Sequence, residues 1–132
     1  MRRRGFIHLY GLNLVFDRVG QGPPVLLLAE EASRWPEVEG LEVPHTLYLL
    51  DLPGFGRTGG PAMSPEEMAE YVAAFVVMLN LGNPPALLRG VGLALKEPLE
   101  ALGLLALPAE EQLSEALSNL LRPDILESGG EV

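Results

Sequence analysis

The sequence predicts an α/β fold in a single domain, and three features support this prediction. Two continuous apolar runs, residues 25–29 and 47–50, are typical of strands buried on both faces of a sheet. A stretch with helical spacing of apolar residues begins at Ser64. Residues 85–95 contain an apolar run, two glycines and then Leu-Ala-Leu, which predicts a strand, a tight turn and the start of a helix.

Length and composition limit the classes of partner. A chain of 132 residues forms one domain, here residues 1–132, and no apolar run approaches the roughly 18–20 residues of a membrane span. The net charge of −9 argues against nucleic acids and anionic membranes as partners. The absence of cysteine excludes disulfides and thiolate sites within this sequence. We therefore expect a cytoplasmic protein, and the cysteine-free, proline-rich composition would suit a thermophile.

The N-terminal third predicts strands and a short helix. Residues 4–10 and 14–19 are two short runs joined at Gly11, a pattern that favours a β-hairpin at a sheet edge. We expect His8 to be a half-exposed residue of this hairpin. Residues 33–39 indicate a short irregular helix.

The longest predicted helix begins next to Ser64. Ser64 is suited to the N-cap, Pro65 to the first helical position, and Glu67 completes a capping box. Gly82 follows the end of the pattern. The apolar residues at helical spacing are Met68, Tyr71, Val72, Phe75, Val76 and Leu79.

Three short elements are predicted after residue 97. Pro98 opens or kinks a short helix that extends to Leu102, and residues 103–107 are a candidate sixth strand. Residues 108–121 form an amphipathic helix, and residues 122–132 are expected to be a flexible tail. The apolar face of the last helix contains Leu113, Leu117, Leu120 and Leu121.

The glycine turn after residue 89 resembles the nucleophile elbow of α/β-hydrolases, in which G-x-S-x-G joins a strand to a helix. The matching residues here are Gly90, Val91, Gly92, Leu93 and Ala94. The resemblance implies that Gly92 stands at the position of the nucleophilic serine and Ala94 at that of the last glycine. We therefore expect a positive φ at Gly92 and a vestigial elbow that has lost its nucleophile.

Two further stretches resemble the same family. Residues 51–58, with Asp51 first and Thr58 last, are similar to the Asp-x-x-Gly-x-Gly-x-Ser-like loop after the fourth strand. Residues 22–28 are similar to the third strand and its lead-in. The resemblance covers about residues 5–107 and implies a truncated member of the family. The implied fold is a three-layer α/β/α sandwich, with a mostly parallel sheet of about six strands in the order 1-2-4-3-5-6.

The resemblance also indicates which parts of the catalytic machinery are missing. The family's acid and histidine follow the nucleophile along the chain, but no histidine follows Gly92 and Asp124 is the only aspartate there. The sequence ends where the family's last two strands would begin. His45 opens its strand, at the end away from the elbow. We therefore expect no catalytic residues and no cofactor.

Glu30 and Glu31 occupy the place where the family often has His-Gly, whose backbone helps to form the oxyanion hole. A carboxylate there would oppose a developing negative charge. These adjacent carboxylates are expected to point apart, so we expect no metal site.

Arg89 is expected to lie inside the apolar strand before the glycine turn, and a buried guanidinium needs a partner for its charge. The implied strand order places Glu30 beside Arg89, with Asp51 as the alternative partner. A second hypothesis is a charged pocket that binds a small molecule of unknown identity. Its candidate residues are Glu30, Glu31, Asp51, Arg57 and Arg89.

These observations favour a degenerate hydrolase that is retained as a non-catalytic binding or interaction protein. The alternative is a small, non-standard hydrolase or esterase that acts on an ester or related acyl substrate. We expect Gly92→Ser to create no esterase, because no base lies within reach. The sheet edge left after the sixth strand predicts a homodimer.

Overall fold

The computed structural model describes residues 2–121, which contain one mixed six-stranded sheet. The strand order is β1-β2-β4-β3-β5-β6, which confirms the order implied by the resemblance. The strands are Arg3–Leu9 (β1), Leu12–Gly20 (β2), Pro24–Ala29 (β3), Thr46–Asp51 (β4), Ala86–Leu88 (β5) and Ala106–Pro108 (β6).

The predicted hairpin is the antiparallel edge of this sheet. β1 pairs antiparallel with β2, and β2 pairs antiparallel with β4. The remaining pairs, β3 with β4, β3 with β5 and β5 with β6, are parallel. The carboxyl ends of β3, β4 and β5 therefore meet at one edge of the sheet, where open α/β folds place their sites.

Helices cover both faces of the sheet, which gives the three-layer arrangement. The α-helices are Pro65–Met78 (α1), Lys96–Ala101 (α2) and Leu113–Leu121 (α3), and short 3₁₀ turns span Ala32–Arg34, Pro36–Gly40 and Gly90–Leu95. The predicted capping box of α1 is confirmed: Ser64 Oγ accepts from the Glu67 N–H, and the Glu67 carboxylate accepts from the Ser64 N–H. None of the helices in the described part of the chain is long and apolar enough to cross a membrane.

The alternation of side chains along the strands divides the core into two parts. α1 and α2 pack over one face, where Leu26, Leu28 and Leu50 are fully buried. α3 and the first two 3₁₀ turns pack over the other face, where Leu27 and Leu49 are fully buried. Because the central strands are covered on both sides, they are continuous apolar runs in the sequence.

The last elements differ from the prediction in their bounds. The sixth strand was predicted over residues 103–107 and is three residues long, with Pro108 as its last residue. The last helix was predicted from residue 108 but begins at Leu113, since the chain after Pro108 stays at the sheet, where the Ala109 N–H donates to the Leu88 carbonyl. α1 ends at Met78, and Asn80, with φ of 56°, makes the left-handed turn after it. The predicted flexible tail, residues 122–132, lies outside the described residues.

Candidate functional site

The turn between β5 and the following helix is centred on Gly90. Arg89 is still extended, with φ of −147° and ψ of 145°, and Gly90 has φ of 60°. A positive φ is strained for residues that have a Cβ, so glycine is suited to this point. Gly92 lies inside the 3₁₀ turn, where its N–H donates to the Arg89 carbonyl at 3.0 Å, and it is not among the residues with positive φ. The expected positive φ at Gly92 is therefore wrong.

Gly92 is needed for a different physical reason, which is close packing against β3. A Cβ added to Gly92 would overlap the carbonyl oxygen of Leu28 and lie 2.9 Å from its carbonyl carbon. Both atoms belong to the backbone of a central strand and cannot move aside cheaply. The start of the helix approaches the sheet this closely only because residue 92 has no side chain.

These two roles shift the elbow by two residues. In the family's G-x-S-x-G the nucleophile occupies the sharp, strained residue of the turn, and a glycine follows two positions later. Gly90 matches the first role and Gly92 the second, so that Leu93 and Ala94 belong to the start of the helix. The nucleophile position is still occupied by a residue without a side chain.

The carboxylate of Glu30 fills the space beside this turn. Glu30 directly follows β3, and its Oε2 accepts a hydrogen bond of 3.1 Å from the Val91 N–H. A Cβ built on Gly90 would lie 2.8 Å from the same oxygen. In α/β-hydrolases the N–H that follows the nucleophile is one donor of the oxyanion hole. In this structure that donor already holds a carboxylate.

The second carboxylate oxygen of Glu30 is held less firmly. Glu30 Oε1 is buried and has no hydrogen-bond partner within the described chain. Arg34 Nε lies 3.4 Å from it, which is an ion-pair distance without hydrogen-bond geometry. The Glu30 side chain as a whole is 25% exposed, although this oxygen is buried.

Asp51, at the end of β4, is the centre of a separate network. Its Oδ1 accepts from the Ala32 N–H at 2.8 Å, and its Oδ2 accepts from the Arg57 N–H at 2.7 Å. The Arg57 guanidinium donates to both oxygens and also to Asp17. Burial alone would raise the pKa of Asp51, but these hydrogen bonds hold the pKa below its usual value.

Thr58 connects the same loop to the hairpin. Its Oγ1 donates to the Asp51 carbonyl at 2.6 Å and accepts from the Val15 N–H at 2.9 Å. The Asp51–Thr58 loop therefore fastens β2, β4 and the residues after β3 to one another. Every contact of the Asp51 carboxylate described above is made inside the fold, which identifies Asp51 as a structural residue.

Arg89 is paired, but with neither of the expected partners. Its guanidinium makes a bidentate ion pair with Glu37, at 2.9 and 3.2 Å, and stacks over Trp35 at 4.1 Å from the ring centroid. It also donates to the carbonyl oxygen of Ala109. The hydrogen bond from Arg89 holds the pKa of Glu37 below its usual value, against the effect of desolvation. The predicted pairs of Arg89 with Glu30 or Asp51 are wrong.

The five residues of the expected charged pocket are thus divided among three places. Glu31, Asp51 and Arg57 line one shallow depression of about 240 Å³. Glu30 lies against the elbow, and Arg89 is held against Trp35. Glu30 and Arg89 do not line this depression.

His45 lies immediately before β4, at the end of the sheet opposite the elbow. It is buried, and burial lowers its pKa. Because β3, β4 and β5 are parallel, His45 and Gly90 are separated by about one strand length, roughly 17–20 Å. Among residues 2–121, no group of three or more His, Cys, Asp or Glu side chains is arranged to hold a metal ion.

The sheet order, the strand–turn–helix at Gly90 and the comparisons agree on the class of protein. The chain has the α/β-hydrolase fold. It is similar to TT1977, whose crystal structure has a TM-score of 0.85, with 66% identity over 90% of this chain and 97% of that one. A scan of protein-family profiles found no match, and no curated protein matched the sequence.

Two solved enzymes have the same fold at lower identity. The haloalkane dehalogenase DatA from Agrobacterium tumefaciens C58 has 24% identity over 71% of this chain, with a TM-score of 0.63. The epoxide hydrolase CorEH has 17% identity over 99% of this chain, with a TM-score of 0.72. The chain spans 34% of the length of DatA and 53% of that of CorEH. These two likenesses show the fold alone.

Sequence reasoning missed three residues of these sites. Val91 contributes a backbone N–H, Asp17 shares Arg57 with Asp51, and Glu37 pairs with Arg89. Glu37 is 52 positions from Arg89 along the chain, so no local pattern could have connected the two.

Proposed function

We propose that this chain is a non-catalytic member of the α/β-hydrolase superfamily that serves as a binding or interaction protein. The observation that supports this proposal best is the position of Glu30. Its carboxylate binds the Val91 N–H and occupies the space next to Gly90. The residue at the turn has no side chain, and the N–H beside it is already used.

Electrostatics add to this argument. Acyl transfer on this fold passes through an oxyanion, which is stabilised by N–H donors placed around it. A carboxylate within hydrogen-bond distance of the Val91 N–H repels such an oxyanion and competes with it for the donor. Removal of one donor of an oxyanion hole costs about 10²–10³ in kcat in enzymes that have the hole.

The proposal can be tested with a panel of p-nitrophenyl esters of increasing acyl length. We expect the parent chain to release p-nitrophenol no faster than Glu30→Gln or a matched surface control, Glu110→Gln. Glu110 is exposed and lies outside the elbow. Saturable turnover by the parent that Glu30→Gln abolishes and Glu110→Gln retains would overturn the proposal in favour of a non-standard hydrolase.

A sharper test is to place a serine at the turn. Because the turn residue is Gly90, the variant to make is Gly90→Ser combined with Glu30→Ala. The second change removes the carboxylate that a side chain at residue 90 would meet. We expect no saturable turnover, because His45 is about one strand length, roughly 17–20 Å, away and a serine needs a positioned base. Labelling of the new serine by an organophosphonate would show that a base does reach it.

We include a homodimer in this proposal. β6 has one strand neighbour in the described sheet, and Leu102 and Leu105, close to it in the chain, are 50% and 48% exposed. α3 packs on the face of the sheet and contributes to the core there, so it does not extend the sheet beyond β6. An unpaired strand edge beside apolar side chains favours pairing with another chain. Light scattering at micromolar concentration should give twice the chain mass; a monomer mass would contradict this part.

A further inference from the structure

The cationic side chains of the described chain fall into two groups. Five of them make ion pairs with acidic side chains, and three make none within residues 2–121. The paired residues are Arg2, Arg34, Arg57, Arg89 and Lys96. The three without an ion pair are Arg3, Arg4 and Arg18, and all three line the same cleft.

The strands bring two of these arginines directly together. Arg3 on β1 stands opposite Arg18 on β2 in the antiparallel register. Like charges placed opposite each other on neighbouring strands repel. The sequence has 18 acidic and 9 basic residues, so acidic partners are in excess, and yet this cluster has none within the described residues. An anion from outside the described chain would relieve the repulsion.

The floor of the cleft is apolar and partly aromatic. Tyr48 is the next residue across the sheet from Arg18, and Phe16 lies beside it with ring centroids 5.9 Å apart. Leu79, which follows α1, and Gly5 also line the cleft. The cleft measures about 210 Å³. This is below the roughly 300–1,000 Å³ of pockets that hold drug-sized ligands, so its occupant is small.

We propose that this arginine cleft, formed by Arg3, Arg4, Arg18 and the floor beneath them, binds a small aromatic anion. The ligand has one carboxylate or phosphate group attached to a single ring. Guanidinium groups bind both anionic groups through paired N–H donors. The ring packs against Phe16 and Tyr48, which favour tilted and edge-to-face contacts with other aromatic rings.

The arginine cleft shares no residue with the elbow. The cleft is lined by residues of β1, β2 and β4, on the hairpin side of the sheet. Gly90 and Glu30 lie beside β5 and β3. Ligand binding in the arginine cleft therefore does not depend on whether the elbow is catalytic, and it is tested by measuring binding rather than turnover.

Isothermal titration calorimetry at low ionic strength tests the cleft, with phenyl phosphate and benzoate as probes. Phenyl phosphate should bind with one site per chain and at least tenfold tighter than inorganic phosphate, because only the former reaches the apolar floor. Phenol, which lacks the anionic group, should give no measurable binding. Comparison of the two anionic probes decides whether a phosphate or a carboxylate is preferred.

Substitutions then locate the site. Arg3→Gln and Arg18→Gln should each weaken phenyl phosphate binding by about tenfold or more, since charge-assisted hydrogen bonds are lost. Lys96→Gln removes the same unit charge at an exposed ion pair elsewhere and should leave the affinity unchanged. The arginines are exposed, so both variants should fold, and circular dichroism checks this.

Two results would overturn the proposal. The first is that neither phenyl phosphate nor benzoate gives a binding heat at concentrations up to about 10 mM. A dissociation constant above this concentration is too weak for a specific site. The other is binding that Lys96→Gln weakens as much as Arg18→Gln, because this would indicate a general charge effect. Chemical shift changes confined to β1, β2 and the end of α1 would support the cleft directly.

Discussion

Two carboxylates lie at the carboxyl ends of neighbouring strands, Asp51 as the last residue of β4 and Glu30 directly after β3, and their surroundings differ. Asp51 accepts hydrogen bonds on both oxygens, from two backbone N–H groups and from Arg57. Glu30 accepts one hydrogen bond, from Val91, and its other oxygen is buried without one. Asp51 holds three segments of the fold together, whereas Glu30 rests in a turn where the family has its nucleophile.

The difference shows which charges at this edge the fold requires. The lowered pKa of Asp51 means that its ionised form is favoured over the protonated form more strongly in the folded chain than in the unfolded chain. A carboxylate with one satisfied oxygen on a partly exposed side chain contributes little. We therefore expect the fold to tolerate changes at Glu30 better than changes at Asp51.

The largest expected effect is that of Asp51→Ala. The change leaves the Ala32 and Arg57 backbone N–H groups without their acceptor and the Arg57 guanidinium with Asp17 alone. The loss of one member of a buried pair costs about 3–5 kcal/mol. We expect a value near 3 kcal/mol in urea unfolding, because the Arg57 side chain is 34% exposed and regains water. Glu100→Ala, at an exposed pair with Lys96, is the control and should cost less than about 1 kcal/mol.

The free energy of unfolding at acid pH provides a second measurement for Asp51. Its pKa is lower in the folded chain, so its contribution is present above the unfolded value of 3.8 and is lost as the pH falls further through the folded value. The parent should therefore lose stability below about pH 4 more steeply than Asp51→Ala. Equal slopes for the two proteins would contradict the structural role given to Asp51.

Local patterns in the sequence predicted most of the fold. The capping box at Ser64 and the apolar runs of β3 and β4 depend on nearest neighbours, and all were confirmed. The strand order was implied by the resemblance and was also confirmed. These features need no knowledge of contacts between distant segments.

The site was predicted less well, because its geometry depends on distant residues. Gly92 was predicted to be the turn residue, but glycine is required at position 92 because the backbone of Leu28, 64 positions earlier, leaves no room for a Cβ. Likewise, Arg89 was expected to meet Glu30 on the neighbouring strand, but Trp35 and Glu37 are placed by 3₁₀ turns that the sequence suggested only as an irregular helix. Sequence indicates that Arg89 needs a partner, and only the structure identifies it.

The next effect in size is expected for Gly92→Ala. The added Cβ meets the backbone of Leu28, and insertion of atoms into a packed region costs about 1–3 kcal/mol. We expect about 2 kcal/mol by urea unfolding, and the same loss when Glu30→Ala is also present. Relief by Glu30→Ala would mean that residue 92, and not residue 90, faces the carboxylate.

Gly90→Ala should cost somewhat less, for a different reason. Its φ of 60° is disfavoured for alanine by roughly 1–2 kcal/mol, and the new Cβ also displaces the Glu30 carboxylate. Because that carboxylate is the end of a flexible side chain, Glu30→Ala should recover part of the loss. A double-mutant cycle measures this coupling, and an interaction energy of zero would contradict the contact between the two residues.

The smallest effect is expected for Glu30→Gln. The amide oxygen of glutamine can accept from the Val91 N–H as the carboxylate does, so the one hydrogen bond of this side chain is kept. The ion pair with Arg34 is lost, but at 3.4 Å and with the Arg34 side chain 54% exposed it contributes little. We expect a change of less than about 1 kcal/mol in the free energy of unfolding. A loss as large as that of Asp51→Ala would mean that the fold requires the charge at Glu30, and Glu30 would then be a structural residue like Asp51.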